Sequence, residues 1–142
     1  MNKLEIMNTY ELDPKKDFWI HKQTGKHIIS FEAIEKMIDY HEIVFEQPEK
    51  NFSTKDNEVA LLITGRMLDD KLGNKECWSF GEANSNNCYI DYLWSMAEKR
   101  GKARVVMKLL GFYGGNNGFY SDVEMEIQGQ IEQNTKDVEF GF

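Results

Sequence analysis

The stretch from Glu58 to Leu110 constrains the fold more than any other part of the chain. EVALLITGRML (58–68) has the length and the apolar, β-branched content of a buried strand. DDKLGNK follows as a turn, and Cys77, Trp78, Ser79 and Phe80 continue as a strand paired back on the first, with Trp78 and Phe80 on one face because strand side chains alternate. Beyond the loop GEANSNN, the segment from about Tyr89 to Leu110 reads as the longest helix. On a helical wheel its Leu93, Met96, Ala103, Val106, Met107 and Leu110 gather on one side. A strand pair that runs into a long amphipathic helix has to pack that helix on the sheet.

The upstream elements fit this core. IVFEQ (43–47) is a further strand, ended by Pro48. Ser30 is placed to cap a short helix in which Phe31, Ile34, Met37, Ile38 and His41 recur at three- and four-residue steps. FWIHKQTGKHIIS (18–30) predicts a hairpin turning at Gly25, and Gly65 marks a bulge or bend in its strand. The first seventeen residues are polar and contain Pro14. The expectation is an α+β protein: an antiparallel β-sheet in a β-β-β-α core, packed by one long helix and preceded by a short one. An N-terminal arm (1–17) leads into one nucleic-acid-binding domain (18–121), followed by an acidic tail (122–142).

Composition narrows the function. The 142 residues carry a net charge of −7, which argues against coating nucleic acid by bulk attraction. The charge is segregated, however: Asp122 to Phe142 hold six acids and one base, whereas Lys99 to Ser121 hold five bases and no acid. No stretch has the apolar length of a membrane span, and the first residues lack the apolar run of a signal peptide, so no membrane partner and a cytoplasmic location are expected. Cys77 and Cys88 with His21, His27 and His41 show no zinc spacing, and no phosphate loop, dinucleotide fingerprint or nucleophile elbow is present. No cofactor, no metal and no enzymatic activity are expected. A magnesium nuclease built on Asp69, Asp70 and Glu82 is the weaker reading, because Asp69 and Asp70 fall in an ordinary hairpin turn.

The long helix carries the candidate site. Arg100, Arg104 and Lys108 follow at i, i+4 and i+8 along one border of its apolar face, and Lys99 and Lys102 lie toward the other. Trp94, Tyr113, Phe119 and Tyr120 are close in sequence. Cations that track phosphates and rings that stack on bases are the ingredients of a single-strand groove. Arg100 sits nearest the apolar sector and needs a partner, Glu82 or a phosphate. The asparagine-rich loop GEANSNNC could offer backbone amides to an anion or serve as a capped connection. The last residues, DVEFGF, suit either docking on a partner or a final strand, since Val138, Phe140 and Phe142 alternate.

The block GEANSNNCYIDYLWSMAEKRGKARVVMKLLGFYG resembles the strand-loop-helix segment of phage and bacterial single-strand annealing proteins. Gly81, Glu82 and Ala83 match that family's G-[DE]-A loop, and Met96, Ala97, Glu98, Arg100 and Arg104 match its helix. The match spans about a quarter of the chain, with Gly101 where the family has alanine. The tail is similar to the acidic tip with a terminal phenylalanine of single-stranded-DNA-binding proteins, which implies that Asp137, Glu139, Phe140 and Phe142 recruit replication or recombination proteins. The resemblance implies a protein that binds single-stranded DNA without strong sequence preference, with strand annealing and homo-oligomer formation as further expectations. The alternative is an acidic interaction module, such as a phage inhibitor of a host enzyme, that binds no DNA.

Overall fold

In the computed structural model, residues 2–52, 58–71, 73–88, 92–114, 118–124 and 138–140 are described. The elements run α1 (Lys3–Tyr10), β1 (Phe18–His21), β2 (His27–Ile29), α2 (Phe31–His41), β3 (Val44–Phe45), β4 (Glu49–Phe52), β5 (Glu58–Asp69), β6 (Gly73–Asn84), α3 (Leu93–Leu110), β7 (Phe119–Ser121) and β8 (Val138–Phe140). The α+β class is as expected, but the strands form two sheets. In one, β5 pairs along its whole length with β6, while β3 and β4 pair with successive stretches of its other edge, all antiparallel. In the other the order is β7-β2-β1-β8, with β2 and β7 parallel.

Helix α3 lies between these parts and is buried on more than one side, which is why Ala97, Val105 and Leu109 join the predicted Met96, Ala103, Val106 and Met107 in the core. Its approach to the sheet is set by two glycines. A Cβ on Gly81 of β6 would fall 2.6 Å from the backbone nitrogen of Gly101, and a Cβ on Gly101 would run into the Ile63 side chain. Helix and strand therefore meet backbone to backbone, a contact only glycine permits. Gly65 plays a related part. The β5–β6 register runs unbroken through it, so there is no bulge at this position in that pairing; a Cβ there would lie 2.8 Å from Val105 Cγ1.

The first seventeen residues differ from the expected arm. Asn2 and Glu5 form a capping box that starts α1, and Ile6, Tyr10 and Leu12 are buried in the common core. The polar composition hid this because three apolar side chains suffice to dock one short helix. Asp17 is fully buried, accepting from Ser30 Oγ at 2.9 Å and Lys36 Nζ at 2.8 Å. Burial alone would raise its carboxyl; Lys36 and the other donors outweigh that and lower it. Ser30 caps α2 by accepting from Ala33 N.

Candidate nucleic-acid interface

The cations of α3 lie on two flanks, and the β6 flank is largely closed. Arg100 is 1% exposed. Its Nε donates to Val123 O, Nη1 to Glu82 O and Asn87 Oδ1, and Nη2 to Asn87 O at 2.7 Å. At Glu82 it is the backbone carbonyl that accepts, and a side chain this buried is in no position to take a phosphate from solvent. That corrects the expectation for Arg100: it ties β6, the turn after it and the segment after β7 into one unit.

Arg104 takes the Glu82 carboxylate instead. Nε and Nη2 donate to Glu124 at 2.5 and 2.9 Å, Nη1 and Nη2 donate to Glu82 at 3.0 and 2.7 Å, and Nη1 also reaches Phe80 O at 2.7 Å. Five hydrogen bonds match the five N–H groups of a guanidinium. Burial opposes the charge, yet the two carboxylates dominate and raise the Arg104 pKa. As folded, this arginine has no donor to spare for a phosphate.

Past these residues the same flank opens. Gly111 ends α3 in the left-handed region, and the chain returns so that Phe119 N donates to Phe112 O at 2.8 Å and Gly114 N to Phe119 O at 3.2 Å. This fold-back brings Tyr113 beside Tyr120, ring centroids 6.1 Å apart. Lys108 Nζ stands 5.6 Å from the Tyr113 centroid while donating to Ser79 Oγ at 3.2 Å, and Lys26 Nζ stands 4.6 Å from that of Tyr120. Because strand residues alternate, Phe119 faces inward while Tyr120 faces out. Phe119 is buried edge-on against Phe18 and Phe112, so it is a core residue and no stacking platform.

On the α2 flank, Lys99 Nζ lies 5.7 Å from the Phe31 centroid, and Lys102 Nζ lies 5.3 Å from that of Phe45 and 3.4 Å from Glu98 Oε1. Trp94 is exposed in the first turn of α3. The structure therefore gathers Lys108, Tyr113 and Tyr120 on one side and Lys99 and Lys102 on the other, and takes Arg100 and Phe119 out of any surface. Lys26, Phe31 and Phe45 were missed, since they belong to distant elements and no local spacing links them to α3.

The asparagine loop is self-satisfied. Asn84 N donates to Asn87 Oδ1, and Asn86 N and Asn87 N donate to Asn84 Oδ1 at 2.8 and 3.1 Å, so these amides are not offered to an anion. Glu139 and Phe140 lie in β8, which pairs antiparallel with β1; Asp137 and Phe142 lie outside the described residues. Among the described residues no group of three His, Cys, Asp or Glu side chains could hold a metal, and no helix is long and apolar enough to cross a membrane.

Trp78 and Phe80 form an edge-to-face pair at 5.7 Å on β6, 58% and 41% exposed. They pair in register with Thr64 and Leu62, on the sheet face opposite Gly81 and α3. Compared with known proteins, the chain matches no family model, no curated sequence and no solved structure.

Proposed function

We propose that this protein binds single-stranded DNA without strong sequence preference, in replication or recombination. The observation that carries the reading is the tyrosine pair: two rings from separate segments, 6.1 Å apart, each with a lysine ammonium over it. Rings of this kind stack on bases of any identity, and Lys26 and Lys108 are at hand for the phosphates that flank them. Lys99 and Lys102 form a separate pair of cations on the opposite flank of α3. Strand annealing, self-association and recruitment of partners through Glu139, Phe140 and their neighbours extend the same proposal.

The test is fluorescence anisotropy of a labelled oligothymidine and a matched duplex at two salt concentrations. The expected result is tighter binding of the single strand that weakens with salt, and a loss of about tenfold when Tyr120 is replaced by alanine. No binding of the single strand at either salt would overturn the proposal. In that case the exposed Trp78–Phe80 face favours the second reading, an acidic module that docks on another protein through an apolar sheet face.

A further inference from the structure

Helix α3 covers one face of the β5–β6 pair, at Gly81 and Gly65. The other face of such a sheet is ordinarily polar where it meets water. Here its centre is apolar: Trp78 and Phe80 are exposed on β6, in register with Thr64 and Leu62 of β5. The next pair along the same face is Arg66 with Glu76, both exposed, and Arg66 also reaches Glu46 at 3.1 Å. The members of these pairs differ in a regular way. Trp78 beside Thr64 is large beside small, Phe80 beside Leu62 is a ring beside a branched chain, and Arg66 beside Glu76 is a cation beside an anion. A two-fold axis parallel to the strands and midway between β5 and β6 exchanges the two members of every pair, so the face is complementary to itself.

We infer that two copies of this chain pack these faces together as a two-fold dimer, with Trp78 over the partner's Thr64, Phe80 over the partner's Leu62 and Arg66 over the partner's Glu76. Aligned sheets pack about 10 Å apart, a gap that a large side chain over a small one fills. An axis at right angles to the strands, through the aromatic pair, would instead set Glu76 against the partner's Glu82; like charges there select the axis along the strands. Each strand has 12 residues. Two lanes about 40 Å long and about 10 Å wide give a footprint of about 400 Å² per copy, half the ~800 Å² of a stable interface. The dimer is therefore a weak one, with a dissociation constant on the order of 100 μM. It gives the self-association proposed above a face and a symmetry, and it requires no DNA.

Sedimentation equilibrium of the full chain without DNA, from about 20 to about 500 μM protein, reads this directly. A monomer–dimer curve is expected, and Trp78→Ser should weaken it about tenfold. Arg66→Glu places carboxylates on both sides of each charged contact, and Glu76→Arg places guanidinium groups on both. Each variant alone should therefore stay monomeric across the range. An equimolar mixture of the two should dimerise as the unmodified chain does, since every carboxylate then faces a guanidinium. A variant that merely lost stability would gain nothing from mixing. All three side chains are exposed, so the variants should fold. A monomer at every concentration would overturn the dimer and leave the face to a different protein. A dimer whose affinity none of the variants moves would overturn this face as its interface. Strand binding is read separately by anisotropy, so neither result touches the single-strand reading.

Discussion

On the β6 flank of α3, Arg100 and Arg104 turn their guanidinium groups inward onto carbonyls and carboxylates, whereas Lys99 and Lys102 on the α2 flank hold their ammonium groups over the rings of Phe31 and Phe45. All four lie within six residues of one helix. The difference follows from side-chain chemistry: a planar fork with five donors can be satisfied inside a protein by several acceptors at once, while a compact ammonium on a flexible stem keeps its hydration. Positive charge on a helix is therefore a poor guide to a binding surface until each cation's partners are known.

If Arg100 is the tie between β6 and the segment after β7, removing it should have the largest effect. Arg100→Met leaves the carbonyls of Glu82, Asn87 and Val123 without this donor in a buried place, and about 4 kcal/mol of stability should be lost. Urea unfolding measures this; a loss under about 1 kcal/mol would mean that the site relaxes or admits water, and the contrast between the flanks would weaken.

Next comes the contact beneath the arginines. Gly81→Ala drives a Cβ into the backbone of α3 at Ala97 and Gly101, neither of which can move without shifting the helix. About 2 to 3 kcal/mol should be lost. An unchanged midpoint in urea would show that α3 can lift off β6, and that its register on the sheet is not what orients the two flanks.

The strands β5 and β6, the capped helix α2 and the long helix α3 are legible in the sequence because each is written locally, in alternation, in the Ser30 cap or in helical spacing. The two stripes of cations on α3 are legible for the same reason. What each cation touches is not. Glu124 reaches Arg104 across twenty residues, and Lys26 reaches Tyr120 across more than ninety, so neither pairing leaves a periodic trace. Helix α1 was hidden because its docking depends on Tyr10 meeting His41, thirty-one residues away.

A direct comparison of cations gives a smaller, sharper effect. Arg104→Met leaves Glu124, 9% exposed, without its counter-ion, and should cost about 2 kcal/mol of stability while leaving the salt slope of single-strand binding unchanged. Lys26→Met and Lys108→Met should do the reverse, each lowering the slope by about 0.7 with little change in stability. Should Arg104→Met reduce the slope as much as the lysine variants, phosphate displaces Glu82 or Glu124 in the complex, and the flank closed in the free protein opens on binding.

The smallest effect concerns pH. Burial lowers the pKa of His27, helped by Lys3, and lowers that of His41 against the opposing pull of Asp69. The Tyr10 hydroxyl, whose own pKa is pushed up to about 12 by burial and Tyr40, lies 2.6 Å from His41 Nε2 in a hydrogen bond. With both pKa values lowered, the histidines stay neutral in the fold at a pH where an unfolded chain, titrating near the ordinary imidazole value of 6.5, already binds protons. Stability should be constant above that value and decline as the pH falls below it. Thermal unfolding between pH about 8 and about 5 stays above most carboxylate titrations, so the decline belongs to the histidines. His41→Gln, which keeps a hydrogen-bonding group for Tyr10 and removes the titrating one, should flatten part of the curve. A profile that stays as steep assigns the loss to His27 and the β1–β2 hairpin, and separates the anchoring of α1 from the acid sensitivity of the fold.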